Sequence, residues 1–242
     1  MIQMYFKNTV TIAIVKYKGL DDLFFEKSLN SALQQIDVNF KVDLYLDGVE
    51  YDFDNNLVNI KKVPNCFINN PPKIREYIVN NTDSKYLAFW DSDDFYYSDR
   101  LKKQMEYIRE NNVCICFSDF IFLRDNQLLN SFFDYIGYNF RKIDILYENI
   151  YGLGVCLVET RFLKKLIPFP EIKYLDWWIG LKCKFLNVKI GVVDSPLGYY
   201  RISSESNSDI LENISHDSIK NEVKNKLELF ELLINEDDIF SE

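Results

Sequence analysis

Three aspartates, Asp91, Asp93 and Asp94, follow directly on the apolar run Tyr86-Leu-Ala-Phe-Trp90. Carboxylates crowded this closely repel one another unless a positive group neutralises them. Asp91-Ser-Asp93 offers two hard oxygen donors one residue apart. Such a pair suits magnesium or manganese, with water or phosphate oxygens completing the shell. A cation held there would stabilise the charge building on a departing diphosphate. The plain alternative is a solvated turn that caps the next helix.

The elements that must position this cluster can be read from the same chain. A run as apolar as Tyr86–Trp90 predicts a strand buried on both faces, as in a mostly parallel sheet. Ligands of open α/β sheets bind beyond the carboxyl ends of such strands. Residues 10–15 are β-branched and predict a first buried strand. Leu23, Leu29, Leu33 and Ile36 predict one apolar helical face after it. Residues 42–46 predict a second strand, stopped by the Asp47-Gly48 turn signal. Ile74, Ile78 and Val79 predict a helix behind Asn69-Asn-Pro-Pro72. Ser98 or Asp99 can cap a helix carrying Leu101, Met105 and Ile108, and residues 113–117 predict the next strand. This alternation predicts an α/β fold with parallel pairing and right-handed crossovers.

The second half is less regular. Residues 152–158 and 189–193 read as strands, 175–185 as a helix and 201–209 as a loop. The charged tail carries Val223, Leu227, Phe230, Leu233 and Ile234 at helical spacing. One domain over residues 1–208 is expected. A helical tail over 209–242 follows.

Bulk composition bounds the function. The chain has 242 residues, 48% of them hydrophobic and 16% aromatic, enough for a substantial core. A net charge of −9 argues against a nucleic-acid partner, which needs a basic footprint. Five cysteines without paired spacing suit reduced thiols in the cytoplasm. The single histidine, His216, makes a zinc site unsuitable. No signal peptide or membrane-spanning run is apparent, and peripheral membrane contact stays open.

Lys85-Tyr-Leu-Ala-Phe-Trp-Asp-Ser-Asp-Asp94, with Asp99-Arg-Leu-Lys-Lys-Gln104 behind it, resembles the central signature of the GT-A fold family 2 glycosyltransferases. The resemblance extends from about Val10 to Ser208. It implies a Rossmann-like, mostly parallel sheet flanked by helices, in a domain over 1–208 divided near 120 into a nucleotide-sugar-binding half and an acceptor-side half (121–208). It also implies a nucleoside-diphosphate sugar as donor, a Mn2+ or Mg2+ cofactor and a glycan or other hydroxyl as acceptor, as in polysaccharide synthesis. By this resemblance Asp91 and Asp93 hold the metal, and Asp91 also meets the diphosphate. Ser92 and Asp94 support them or face the donor sugar. Tyr17 and Asp47 fall where the family holds the nucleotide base, although Val15, Lys16 and Lys18 depart from its first-strand pattern. Arg75 and Arg201 fall where a guanidinium could meet the base or diphosphate. Asp176, in Tyr174-Leu-Asp-Trp-Trp-Ile179, falls on the general base, with Leu175 replacing a second acid. The plain alternatives are a surface tyrosine, an Asp-Gly turn, a solvated or ion-paired arginine and a capping aspartate.

Trp177 and Trp178 cannot both face inward if helical, so one is expected to line the acceptor site. A histidine common in the family's last loop is absent, with Ser203 or Ser204 near its place. The reading is therefore metal-dependent sugar transfer with inversion, and Asp176 takes the acceptor's proton. Its rivals are a degenerate relative that binds nucleotide sugar or glycan without turnover, and a nucleotidyltransferase, which lacks a visible Gly-rich phosphate loop here.

Overall fold

The computed structural model describes residues 10–124, 127–135 and 152–202. The expected tail, Ser203, Ser204, His216 and residues 136–151, within an aromatic region (127–151) for which the sequence assigns no element, lie outside them.

The first half is a parallel sheet with helices between its strands. β1 (Val10–Tyr17), α1 (Asp22–Leu33), β2 (Phe40–Asp47), β3 (Val58–Lys62), α2 (Pro71–Asn80) and β4 (Tyr86–Trp90) follow in order. β1 pairs in parallel with both β2 and β4, and β2 with β3. Every residue of β4 is buried, as its unbroken apolar run requires. Burying side chains of this size contributes roughly 1.5–3 kcal/mol each, which offsets the charge crowding at its end.

The second half continues the sheet with mixed directions. β5 (Phe95–Tyr96), α3 (Arg100–Asn111), β6 (Ile115–Arg124), β7 (Gln127–Ser131) and α4 (Phe132–Tyr135) come first. β8 (Cys156–Glu159), α5 (Thr160–Lys165), α6 (Leu175–Phe185) and β9 (Ile190–Ile202) follow. The strand order is β3-β2-β1-β4-β8-β6-β9-β5, with β7 on β6. β8 runs antiparallel between β4 and β6, while β6 and β9 are parallel. The expected α/β architecture with a largely parallel sheet is what forms.

Several local expectations need correction. The buried face of α1 is Phe25, Ser28, Leu29 and Ala32, whereas Leu23 and Ile36 are exposed. Asp21 caps the helix through the backbone N–H groups of Leu23 and Phe24, which sets its phase. β6 begins two residues later than expected and runs on to Arg124. β9 runs through Pro196 and includes Arg201 and Ile202, which the sequence placed in a loop. Its pairing with β6 shifts register around Asp119, and the bulge accommodates the break there.

Candidate functional site

The acidic turn leaves β4 at the carboxyl edge of the parallel strands. Register brings other candidates to that edge. Trp90 lies opposite Ile14, and Tyr17 lies opposite Asp47. The site therefore assembles from the ends of β1, β2 and β4, where a parallel sheet leaves a crevice.

Each aspartate has a different setting. The Asp91 backbone carbonyl accepts from Ser28 Oγ at 2.9 Å, which ties the turn to α1. Burial pushes the Asp91 carboxyl up. The Arg75 guanidinium opposes that rise, while the charges of Asp93 and Asp176 add to it. Asp94 is buried, and its Oδ1 accepts the Arg201 backbone N–H at 2.8 Å. Burial first, then the charges of Asp91 and Asp93, hold Asp94 well above the usual carboxylate range. Asp93 is half-buried and accepts from Arg201 Nη2 at 2.9 Å. Ser92 is buried beside them.

Arg201 thus supplies the positive charge that the crowded turn demands. Its guanidinium also lies over the Phe24 ring at 4.3 Å. Strand pairing delivers it. β5 continues the acidic turn and pairs antiparallel with β9, Phe95 opposite Tyr199 and Tyr96 opposite Gly198. Tyr17 is exposed on the rim, and burial of part of its ring followed by the Asp93 charge pushes its phenol up; Arg201, Asp91 and Asp94 also act on it.

Asp176 comes from α6, far along the chain, yet its charge acts on Asp91. Its Oδ1 accepts the Trp177 backbone N–H at 2.9 Å, which orients the carboxylate at the first turn of the helix. Tyr174, not Asp176, is the N-cap residue. The structure therefore brings Tyr17, Arg75, Asp91, Asp93, Asp94, Asp176 and Arg201 into one electrostatic neighbourhood. Asp47 reaches the same sheet edge, where its two oxygens accept the Asn69 backbone N–H at 3.1 and 3.3 Å. That contact holds the loop ahead of α2, the helix that carries Arg75.

The tryptophans do not behave as expected. Trp177 is 3% exposed and Trp178 1%, so neither ring faces an acceptor crevice. The premise failed because α6 is enclosed on nearly every side: Leu175, Ile179, Gly180, Leu181 and Cys183 are buried with them. A helix without a solvent face does not have to choose between neighbouring rings.

The donor set suits a hard divalent cation. Asp91 and Asp93 present carboxylate oxygens only, with no thiol or imidazole. Among the described residues no group of three or more His, Cys, Asp or Glu side chains is arranged around a metal position. Two carboxylates fit a magnesium- or manganese-type ion that takes its remaining oxygens from phosphate and water.

Sequence reasoning passed over three residues around the acidic turn. Gly154, in the short 3-10 turn Leu153–Val155, approaches so closely that a methyl group there would lie 1.8 Å from Asp91 Oδ2. Arg100 and Gln104 lie fully buried on α3 behind the turn. The signal for them was a polar pair four residues apart flanking the apolar face of Leu101, Met105 and Ile108.

Comparison with known proteins agrees with this geometry. Residues 69–157, which include the acidic turn and Gly154, match the family described as Glycosyl transferase family 2. An uncharacterized glycosyltransferase of Haemophilus influenzae is 26% identical over 188 residues, covering 73% of this chain and 72% of that protein. The Escherichia coli protein UDP-Glc:alpha-D-GlcNAc-diphosphoundecaprenol beta-1,3-glucosyltransferase WfaP is 24% identical over 205 residues, 81% of this chain and 78% of its own. Among solved structures, S. aureus TarS 1-349 in complex with UDP-GlcNAc superposes with a TM-score of 0.62 at 17% identity over 88% of this chain. The mannosyltransferase PcManGT from Pyrobaculum calidifontis, in complex with GDP-Man and Mn2+, gives 0.63 at 11% identity over 83%. The chain spans 64% and 59% of those two structures. At such identities the superpositions show the fold.

Proposed function

We propose that the chain is a family 2 glycosyltransferase with a GT-A fold, and that it moves a sugar from a nucleoside-diphosphate donor to an acceptor hydroxyl by a cation-dependent single displacement with inversion. The observation that carries this reading is that Asp176, on α6, lies near enough to Asp91 for its charge to act on that carboxylate. An acid that receives the acceptor's proton and acids that anchor the leaving diphosphate must stand on opposite sides of one anomeric carbon. Those two roles need two carboxylate sets from different elements, and α6 and the β4 turn supply them.

The residues divide the work as follows. Asp91 and Asp93 would hold a Mg2+- or Mn2+-type ion against the diphosphate. When bound, the ion stabilises the charge left on the diphosphate as the sugar departs. Arg201 and Arg75 bring guanidinium groups to the same anion, and a planar fork suits phosphate oxygens. Asp94, bonded to the Arg201 backbone, keeps that arginine against the turn. Ser92 supports the turn from within. Tyr17 and Asp47 border the end of the crevice where a base would lie. Asp176 takes the proton from the acceptor hydroxyl as that oxygen attacks the anomeric carbon. The Trp177 N–H on Oδ1 keeps the carboxylate in place for this transfer.

The relatives' names support a donor of this class. One is named for UDP-Glc, and solved neighbours carry UDP-GlcNAc or GDP-Man with Mn2+. The test is release of nucleoside diphosphate from a panel of UDP- and GDP-sugars, with Mn2+, Mg2+ or EDTA. NMR of the product anomer reads inversion. Turnover that persists in EDTA, or a product that retains the donor's anomeric configuration, contradicts the proposal.

A further inference from the structure

We infer that Arg100 and Gln104 are positioning residues which, through Gly154, fix the direction in which the Asp91 carboxylate points. The inference rests on the reading of Asp91 as the carboxylate that meets cation and diphosphate.

The pair sits where nothing in the stability of α3 asks for it. Both side chains are fully buried on a helix face otherwise made of Leu101, Met105 and Ile108. Replacing buried ionic groups by apolar ones is often neutral or favourable for stability. An arginine kept in such a place needs another account, and its contacts supply one. The guanidinium carbon lies 4.4 Å from the Trp90 ring centre and 4.0 Å from that of Tyr96. Trp90 is the residue before Asp91. Nη2 donates to the Cys156 carbonyl at 3.3 Å, and Nε donates to Gln104 Oε1 at 3.2 Å. Gln104 Nε2 in turn donates to the Val155 carbonyl at 2.8 Å and the Cys116 carbonyl at 3.1 Å.

Apart from the bond to Cys116 on β6, these contacts reach the two segments that bound Asp91. One is its own strand, gripped at Trp90. The other is the backbone of Val155 and Cys156, directly after Gly154. With that backbone fixed, Gly154 forms a wall against the carboxylate: an added Cβ would lie 1.8 Å from Oδ2 and 2.5 Å from Cγ. Any side chain at 154 displaces Asp91. The Arg100 charge also acts on Asp91 from below, on the favourable side for its ionised form. Ser28 fixes the carbonyl end of the same residue. The carboxylate is thus walled by Gly154 while its backbone is tethered from α1.

Two measurements test this in the full chain. The first is a crystal structure of Gly154→Ala, with the Asp91 side chain expected to have left its present position. The second is calorimetric binding of Mn2+ with UDP, and of Mn2+ with GDP, in a cycle of Gly154→Ala, Asp91→Ala and the double variant. Gly154→Ala should weaken binding at least about tenfold when Asp91 is present and less than about twofold when Asp91 is Ala. Arg100→Met should show the same dependence on Asp91. Arg100→Lys, which keeps the charge but loses the fork, should fall between. Additive losses from Gly154→Ala and Asp91→Ala overturn the inference. So does an unmoved Asp91 carboxylate in the Gly154→Ala structure. If Asp91→Ala leaves binding unchanged, the reading of the site fails, and the crystal structure alone then decides the positioning. Gly154→Ala also serves if Arg100→Met fails to fold.

Discussion

Arg201 and Asp93 stand 108 residues apart in the chain, and Arg201 Nη2 donates to Asp93 Oδ2 at 2.9 Å. The Arg201 backbone N–H bonds the neighbouring Asp94. The end of β9 therefore lies on the acidic turn and carries the counter-charge with it. Removing that charge leaves the crowded carboxylates less compensated and should weaken the hold on the donor diphosphate. Arg201→Ala is expected to raise the KM for donor about tenfold or more with a smaller change in kcat. Arg201→Lys should fall between, since an ammonium is a point charge without the planar fork. Steady-state kinetics across donor concentration reads the split.

The pairing that delivers Arg201 depends on a glycine. A Cβ on Gly198 would lie 2.4 Å from Tyr96 Cδ1 and 2.9 Å from the Phe95 carbonyl oxygen. Backbone cannot give way as a flexible side chain does. Gly198→Ala should destabilise the fold by roughly 1–3 kcal/mol, as overpacking commonly does. It should also weaken donor binding by moving Arg201. Urea unfolding and donor titration on the same variant check both effects, and a stable variant with normal binding contradicts the account of β5 and β9.

Much of this frame was legible before the structure. β4 and α2 have the apolar pattern that periodicity reads well, and their buried residues are the expected ones. β3, β5 and β7 were missed: β3 and β7 are short and largely exposed, and β5 has only two residues. They form because a neighbour supplies the pairing, which no local pattern records. Trp177 and Trp178 misled for the opposite reason, since tertiary packing encloses α6 on nearly every side from Leu175 to Cys183. At the site, the crowding of Asp91 and Asp93 was readable from residue type and position, and Arg201 was singled out only through the family resemblance. Arg100, Gln104 and Gly154 were not, because their partners are backbone carbonyls and a carboxylate brought in from distant segments.

Asp119 gives a pH dependence independent of the acidic turn. It is buried at the β6 bulge and accepts the backbone N–H groups of Phe120 and Phe133 at 2.8 and 3.0 Å. Burial raises its carboxyl above the ordinary value, with the Ser131 hydroxyl and those N–H groups pulling the other way. A raised folded-state value means the ionised form costs stability. That cost is absent below the unfolded value, grows as pH rises toward the folded one and is complete above it. Asp119→Asn keeps an acceptor without the charge. It should therefore have the higher thermal midpoint at neutral pH, with the gap closing as pH falls toward about 4. A gap that is constant with pH contradicts this assignment.

The central claim is that Asp176 receives the acceptor's proton while the acidic turn holds the donor. Asp176→Asn is close in shape and keeps an oxygen for the Trp177 N–H, but it cannot take a proton. The most direct measurement is single-turnover transfer by Asp176→Asn on donor prebound in the presence of Mn2+. The account predicts donor affinity within about twofold of the unaltered protein and transfer slowed by at least about a hundredfold, the scale of a lost general base. Transfer at an undiminished rate would contradict it.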